Sequence, residues 1–333
     1  MQRRLFVRGL LRTGALASAA ATLALSAPLA RAQAAWTAKP VRIVAAGPAG
    51  ASADIVARVL ADVLSKQTGQ TVIVEPKPGA GGVLAVNELS LAPRDGSTLL
   101  VGVSSLVSEI PHIVKLKTDM AAEIKPLVEV ARGGLVMVGN PSLPAKTLPE
   151  VISYVKANPG KVSFASYTAG TMSHVMGLQL NKAAGIDMLH VGYKGSTPAL
   201  QDLMGGHVQL MFDGLATSIP LIKAGKVRAF AVSLPKRSPL LPEVPTFAEL
   251  GYPQLEGVLW MGLWVKPDTP AALQAQIRES ALKAMTQPAL RERLLEAGFE
   301  VGQPRTPEQL GLSLKADYDR VGAVLQSIGF KPE

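Results

Sequence analysis

The chain has 333 residues, 48% of them hydrophobic and 18% charged, and it contains no cysteine. That apolar content supports real cores and about two domains, and it excludes a disordered chain. The missing cysteine excludes a disulfide scaffold, a thiolate-held metal and a thiol nucleophile.

The formal charge of +9 would suit a nucleic-acid partner, but much of it sits at the start. Residues 1–32 hold Arg3, Arg4, Arg8, Arg12 and Arg31 and no acid. An Ala/Leu-rich stretch from Ala15 to Ala30 leads to Ala30-Arg31-Ala32. A basic start, a short apolar run and a small-x-small site describe a secretory signal peptide over residues 1–32. Its length and Pro28 make it a poor membrane span. Arg3-Arg4-Leu5-Phe6-Val7-Arg8 resembles a twin-arginine signal with Gln2 at the usual Ser/Thr position, so Sec and Tat export both stay open. The remaining 301 residues carry 29 basic and 25 acidic side chains, and no nucleic-acid partner is expected. An exported, periplasmic protein is predicted, in a compartment poor in ATP and NAD, with no cofactor.

Val41–Val44 reads as a buried strand, and a small-residue loop, Ala45–Ala53, follows it. Ile55, Val56, Val59, Leu60, Val63 and Leu64 recur at helical spacing, and Gly69 stops that helix. Strands are predicted at Thr71–Glu75 and Thr98–Val103, with a turn at Pro78–Gly82 between them. This βαβαβ order implies a parallel sheet covered by helices. A second run of the same kind starts near Leu135. Thr147-Leu148-Pro149-Glu150 is a capping box that opens a helix. Strands are expected at Val162–Ala165, Leu189–Val191, Val208–Phe212, Val227–Val232 and Leu259–Val265. Lys236–Pro245 reads as surface loop. Thr306-Pro307-Glu308-Gln309 caps a last helix bearing Leu314, Tyr318, Val321, Leu325 and Ile328 on one stripe. The fold class is therefore α/β, in two lobes.

Catalytic motifs are missing. There is no G-x-S-x-G elbow, no H-E-x-x-H and no phosphate-binding G-x-x-x-x-G-K-[ST] loop. His112, His174, His190 and His207 lack metal-ligand spacing, so neither a metal nor a catalytic residue is assigned. Gly79-Ala80-Gly81-Gly82 only faintly echoes a dinucleotide fingerprint, because Leu84 stands where its third glycine belongs. More informative are the loops of small residues that follow strands and open helices: Ala46–Asp54, Gly79–Gly82 and Ser166–His174. Small side chains let backbone amides approach a ligand, and a helix N-terminus favours negative charge. In open α/β sheets such loops lie at the carboxyl ends of strands, where ligands dock. A carboxylate held between two lobes is the chemistry these residues suit.

Several stretches resemble the solute receptors of tripartite tricarboxylate transporters, the Bug receptors. They are Lys39–Val44, Asp54–Arg58, Glu75 with Pro78–Gly82, His190–Leu203, Phe212-Asp213 and Lys236–Thr246. The resemblance implies a type II periplasmic-binding-protein fold, two α/β lobes around a ligand cleft. It also implies lobe 1 from residues 36–136 plus 256–333 and lobe 2 from residues 137–255. It nominates Gly50, Ala51, Ser52 and Asp54 in lobe 1, and Ser166, Tyr167, Thr168, Gly170, Thr171 and Ser173 in lobe 2. Ser104, Ser105, Tyr193, Lys194, Gly195 and Asp213 are implied cleft neighbours.

Gly47 stands where the family commonly has Phe, Ala53 where it has Thr, and Tyr167 where it is often small. These changes suggest a reshaped cleft for a bulkier acid, a dicarboxylate or an aromatic one. The implied partners are that small carboxylate and membrane permease subunits, with the receptor itself a monomer and no enzyme. Two other readings fit the same residues: an exported enzyme using Asp213, His174 or Tyr193, and a ligand sensor for a signalling partner.

Overall fold

The computed structural model describes Trp36, residues 39–327 and residues 329–331. The segment read as a signal peptide, and Ile328 of the last helix, lie outside them.

Strand β1 (Val41–Ala45) is buried on both faces, as a central strand between helix layers must be. Val41, Ile43 and Ala45 join one core with helix α1 (Ser52–Thr68), and Val44 joins another with α2 (Val83–Leu91). Helix α1 stops at Gly69, whose left-handed backbone turns its amide onto the Ser65 carbonyl. Strands β2 (Val72–Pro76) and β3 (Thr98–Val103) both pair parallel with β1, as the pattern predicts. Three one-turn helices follow: α3 (Ser105–Ser108), α4 (Ile110–Ile113) and α5 (Met120–Glu123).

Strand β4 (Lys125–Gly133) has no counterpart in the sequence reading. Glu129, fully buried at its middle, breaks the apolar run, and only the fold supplies Arg132 and Arg305 to neutralise it. Past Gly134 the chain enters a second sheet with β5 (Leu135–Gly139), helix α6 (Leu148–Ala157) and β6 (Ser163–Ser166). The capping box forms, with Thr147 Oγ1 accepting the Glu150 amide at 3.4 Å. Helix α7 (Met172–Ala184), β7 (Leu189–Gly192), α8 (Ser196–Gly205), β8 (Leu210–Gly214), α9 (Leu215–Lys223) and β9 (Arg228–Val232) complete this part.

The chain then returns through β10 (Leu259–Val265) to the first sheet. Helices α10 (Ala271–Met285) and α11 (Pro288–Glu296), strand β11 (Glu300–Val301) and helix α12 (Pro307–Ser327) close the sequence. The final capping box is reciprocal: Thr306 Oγ1 accepts the Gln309 amide at 3.3 Å, and Gln309 Oε1 accepts the Thr306 amide at 2.9 Å.

The first sheet runs β11-β4-β10-β3-β1-β2 and the second β7-β6-β8-β5-β9. Neither is wholly parallel. Strand β10 runs antiparallel to β3 and β4, and β5 antiparallel to β8 and β9. Those two are the strands on which the chain arrives from the other sheet; the short β11 also runs antiparallel, to β4. Ser233 stitches the two crossings together: its hydroxyl accepts from the Leu135 amide at 2.8 Å and donates to the Gly257 carbonyl at 2.7 Å.

Candidate functional site

The first-strand loop sets up a helix start without a side-chain cap. Ala51 precedes α1 and has no side-chain group to offer its amides. Among the described residues, the backbone N–H groups of Ser52, Ala53 and Asp54 find no backbone acceptor, and Ile55 is the first to bond back, to Ala51 at 2.9 Å. Such first-turn donors need a partner from outside the helix. Gly50, at φ 76°, folds the loop so that its own amide reaches Asp54 Oδ2 at 2.8 Å. Arg58 Nε reaches the same oxygen at 3.0 Å. Asp54 Oδ1 is buried without a hydrogen-bond partner.

Across from this start lies the end of β8. A side chain at Gly214 would stand 3.7 Å from Ser52 Oγ and 3.4 Å from Thr217 Oγ1. The two sheets thus bring the α1 loop and the β8–α9 junction face to face. Asp213, fully buried, accepts from Ser196 Oγ at 2.6 Å, Thr217 Oγ1 at 2.5 Å and Ser218 Oγ at 2.8 Å. Burial raises its pKa, and the three hydroxyls oppose that rise. Ser196, Thr217 and Ser218 were not anticipated from sequence, since isolated hydroxyls carry no signature.

The second expected anion site, the start of α7, is arranged differently. The Met172 amide donates to Glu109 Oε2 at 3.1 Å, a contact between segments 63 residues apart. The half-buried Tyr167 places its phenol beside the Thr171 hydroxyl and the Ser173 amide, near Glu109 and Asp213, and desolvation there holds its pKa well above the usual range. The chain's own carboxylate and phenol therefore already serve this helix start. Glu109 was missed by sequence reasoning; its one signal is an acid flanked by the apolar residues Leu106, Val107, Ile110 and Ile113.

The other nominated residues divide by what they hold. Gly170 and Thr171 shape the loop: Gly170 donates to His174 Nδ1 at 2.9 Å, and Thr171 Oγ1 donates to the Thr168 carbonyl at 2.6 Å. Ser173 donates to the Phe212 carbonyl. Ser104 joins β3 to β10, its amide on the Trp260 carbonyl at 2.8 Å, while Ser105 opens α3 half-buried. Tyr193 turns away to donate to Asp202 at 2.7 Å, and burial pushes its pKa up to about 12. Lys194 is exposed, and the Gly195 amide bonds the Tyr167 carbonyl at 2.8 Å.

Ser166 Oγ lies 2.8 Å from His190 Nε2, a spacing that would suit a nucleophile and its base. Ser166 is fully buried in the sheet, however, and His190 stacks on His174 with ring centroids 3.7 Å apart. Burial lowers both imidazoles to about 4, so they are neutral at pH 7. The pair is part of a packed wall with Phe164 rather than an exposed reacting group.

Two α/β sheets joined by stitched crossings, with an uncapped helix start on one facing a strand end of the other, define the two-lobed fold of periplasmic solute-binding proteins. Residues 56–330 match the family described as the tripartite tricarboxylate transporter family receptor. The chain belongs to that family, which includes the Bug proteins. A UPF0065 protein from the gbd 5′ region of Cupriavidus necator is 37% identical, covering 90% of this chain and 90% of that one. Among solved structures, R. palustris Rpa4515 with adipate is 27% identical, with a TM-score of 0.84 over 90% of this chain and 100% of its own. MatC from Rhodopseudomonas palustris, with bound malate, is 29% identical, with a TM-score of 0.76 over 86% and 98%.

Proposed function

We propose that this protein captures a carboxylate solute between its two lobes in the periplasm and delivers it to the membrane subunits of a tripartite tricarboxylate-type transporter. The observation that carries this reading is the open start of α1: three first-turn amides without a backbone acceptor, set opposite Gly214 and Thr217. A carboxylate there completes the helix start, each charge-assisted hydrogen bond contributing on the order of 1.5–3 kcal/mol. The adipate and malate bound by Rpa4515 and MatC support a dicarboxylate. Asp54 Oδ1, buried and unpartnered, favours a ligand that also brings a donor such as a hydroxyl.

The mechanism is binding and closure, with residues 36–136 plus 256–333 as one moving body and 137–255 as the other. Ser52, Gly50 and Asp54 act from the first body; Asp213, Thr217 and the Tyr167–Thr171 wall act from the second. Only the closed arrangement presents both sets, so ligand shifts the population toward it and leaves unchanged on opening. No bond of the ligand is made or broken, and the receptor acts as a monomer. The test is thermal-shift screening of the purified protein against mono-, di- and tricarboxylates. A ligand at 100 times its Kd adds about 2.7 kcal/mol of stability. Hydroxylated dicarboxylates are expected to give the largest shifts; no shift from any carboxylate, or turnover of one, would overturn the reading.

A further inference from the structure

Away from the α1 face, a small recess open to solvent lies among α3, the first turns of α7, the segment Gln254–Leu259 and α12. None of its lining residues belongs to the Ala46–Asp54 loop or to the β8–α9 junction. One side of it is apolar, built from Met172, Val175, Met176, Val321 and Val324, while Ser108, Gln179 and Gln254 make the rest polar. Into this wall is set Glu109, only 3% exposed. One carboxylate oxygen takes the Met172 amide, and no described residue bonds the other. Among the described residues Glu109 has no ion pair of its own: Arg320, the one cation among them that lines the recess, is bound to Asp317 at 2.6 Å. Glu256 adds a further acid at the edge. Three carboxylates thus face a single, already paired guanidinium.

A desolvated carboxylate with a spare oxygen beside an apolar wall suits one kind of guest. An anion is repelled, and a neutral molecule leaves the charge uncompensated. A compact cation carrying a hydrocarbon tail answers both the oxygen and the wall. We propose that this recess is a second binding site, for a small primary alkylammonium ion whose ammonium group donates to the free oxygen of Glu109. Its alkyl chain lies against Val175, Val321 and Val324. The groups facing Glu109 are Arg320 and Asp317 from α12, the Met172 amide from α7 and the Tyr167 phenol. Burial holds the Glu109 pKa up at about 7, so occupation at neutral pH drives a proton from the carboxyl to buffer. The recess is lined from both sheets' helices, and its occupant therefore favours the lobe arrangement seen here.

The test is calorimetric titration of the purified protein with n-butylammonium, with n-butanol as the neutral control. Expected are saturable binding of the amine with heat that varies with the buffer's ionisation enthalpy, none with butanol, and a loss of about tenfold or more in affinity in Glu109→Gln. Val324→Phe, which fills the recess and leaves Glu109 in place, should abolish binding and guards against a Glu109→Gln variant that fails to fold. Equal binding by wild type and either variant, equal binding of butanol, or no saturable heat up to tens of millimolar amine would overturn the proposal. Carboxylate binding at the α1 face is measured alongside, and its presence or absence does not decide this result.

Discussion

Glu109→Gln also tests the energetics of the lobe contact through pH. Burial raises the Glu109 pKa from 4.5 to about 7, against the opposing pull of the Met172 amide and Arg320. A carboxyl that is harder to ionise when folded binds more protons in the native state than in the unfolded chain. Its favourable contribution is therefore full below the unfolded value and is lost as pH rises through about 7. At about 1.4 kcal/mol for each pH unit between the two values, the loss by pH 8 is about 3 kcal/mol. Glutamine keeps an acceptor for the Met172 amide and cannot ionise. Urea unfolding of wild type and variant, followed by circular dichroism at pH 5 and pH 8, reads the difference. The variant should gain relative to wild type by about 2–3 kcal/mol between the two pH values. An offset between the two proteins that is the same at both pH values would refute the reasoning.

The stacked imidazoles act in the opposite direction. His174 and His190 are held at about 4, below the unfolded value of 6.5, so their contribution is lost as pH falls from 6.5 toward 4; NMR titration of their ring protons should show apparent values near 4 rather than near 6.5. Gly170→Ala places a side chain at φ 83° and against Ile113, and should lower stability by about 2 kcal/mol or more in thermal unfolding. Ser233→Ala strips the shared hydroxyl from the buried crossing of Leu135 and Gly257, and a loss of about 1–3 kcal/mol is expected in the same assay. Ser52→Phe drives a ring against Gly214, where a Cβ would already stand 3.7 Å from Ser52 Oγ, so it should abolish the carboxylate-induced thermal shift.

Much of the fold was readable because it rests on local patterns. The α1 stripe ending at Gly69, the two capping boxes and the parallel β1–β3 unit all follow from local periodicity and the order of successive elements. Strand β4 was not readable, because Glu129 looks like a solvated residue until Arg305, 176 positions later, arrives beside it. The antiparallel β5 and β10 depend on where the chain crosses, which no local period encodes.

The site divides in the same way. That small-residue loops open α1 and α7 was legible; which helix start the chain itself serves was not. Glu109 and Met172 meet only through the packing of both sheets' helices, and Tyr167 reads equally well as a wall or as a plug until its phenol is placed. Tyr193, in the turn before α8, points to Asp202 on that helix, a local choice that sequence spacing permits but does not dictate.

The central claim is that the first-turn amides of α1 hold the ligand's acid group. Backbone NMR of the protein titrated with malate, adipate and their neutral diamides tests it at the atoms concerned. The account predicts that the largest amide shifts fall on Ser52, Ala53 and Asp54, saturate with the acids and are missing with the diamides. Shifts centred on Met172 and Ser173, with residues 52–54 unmoved by any acid, would contradict it.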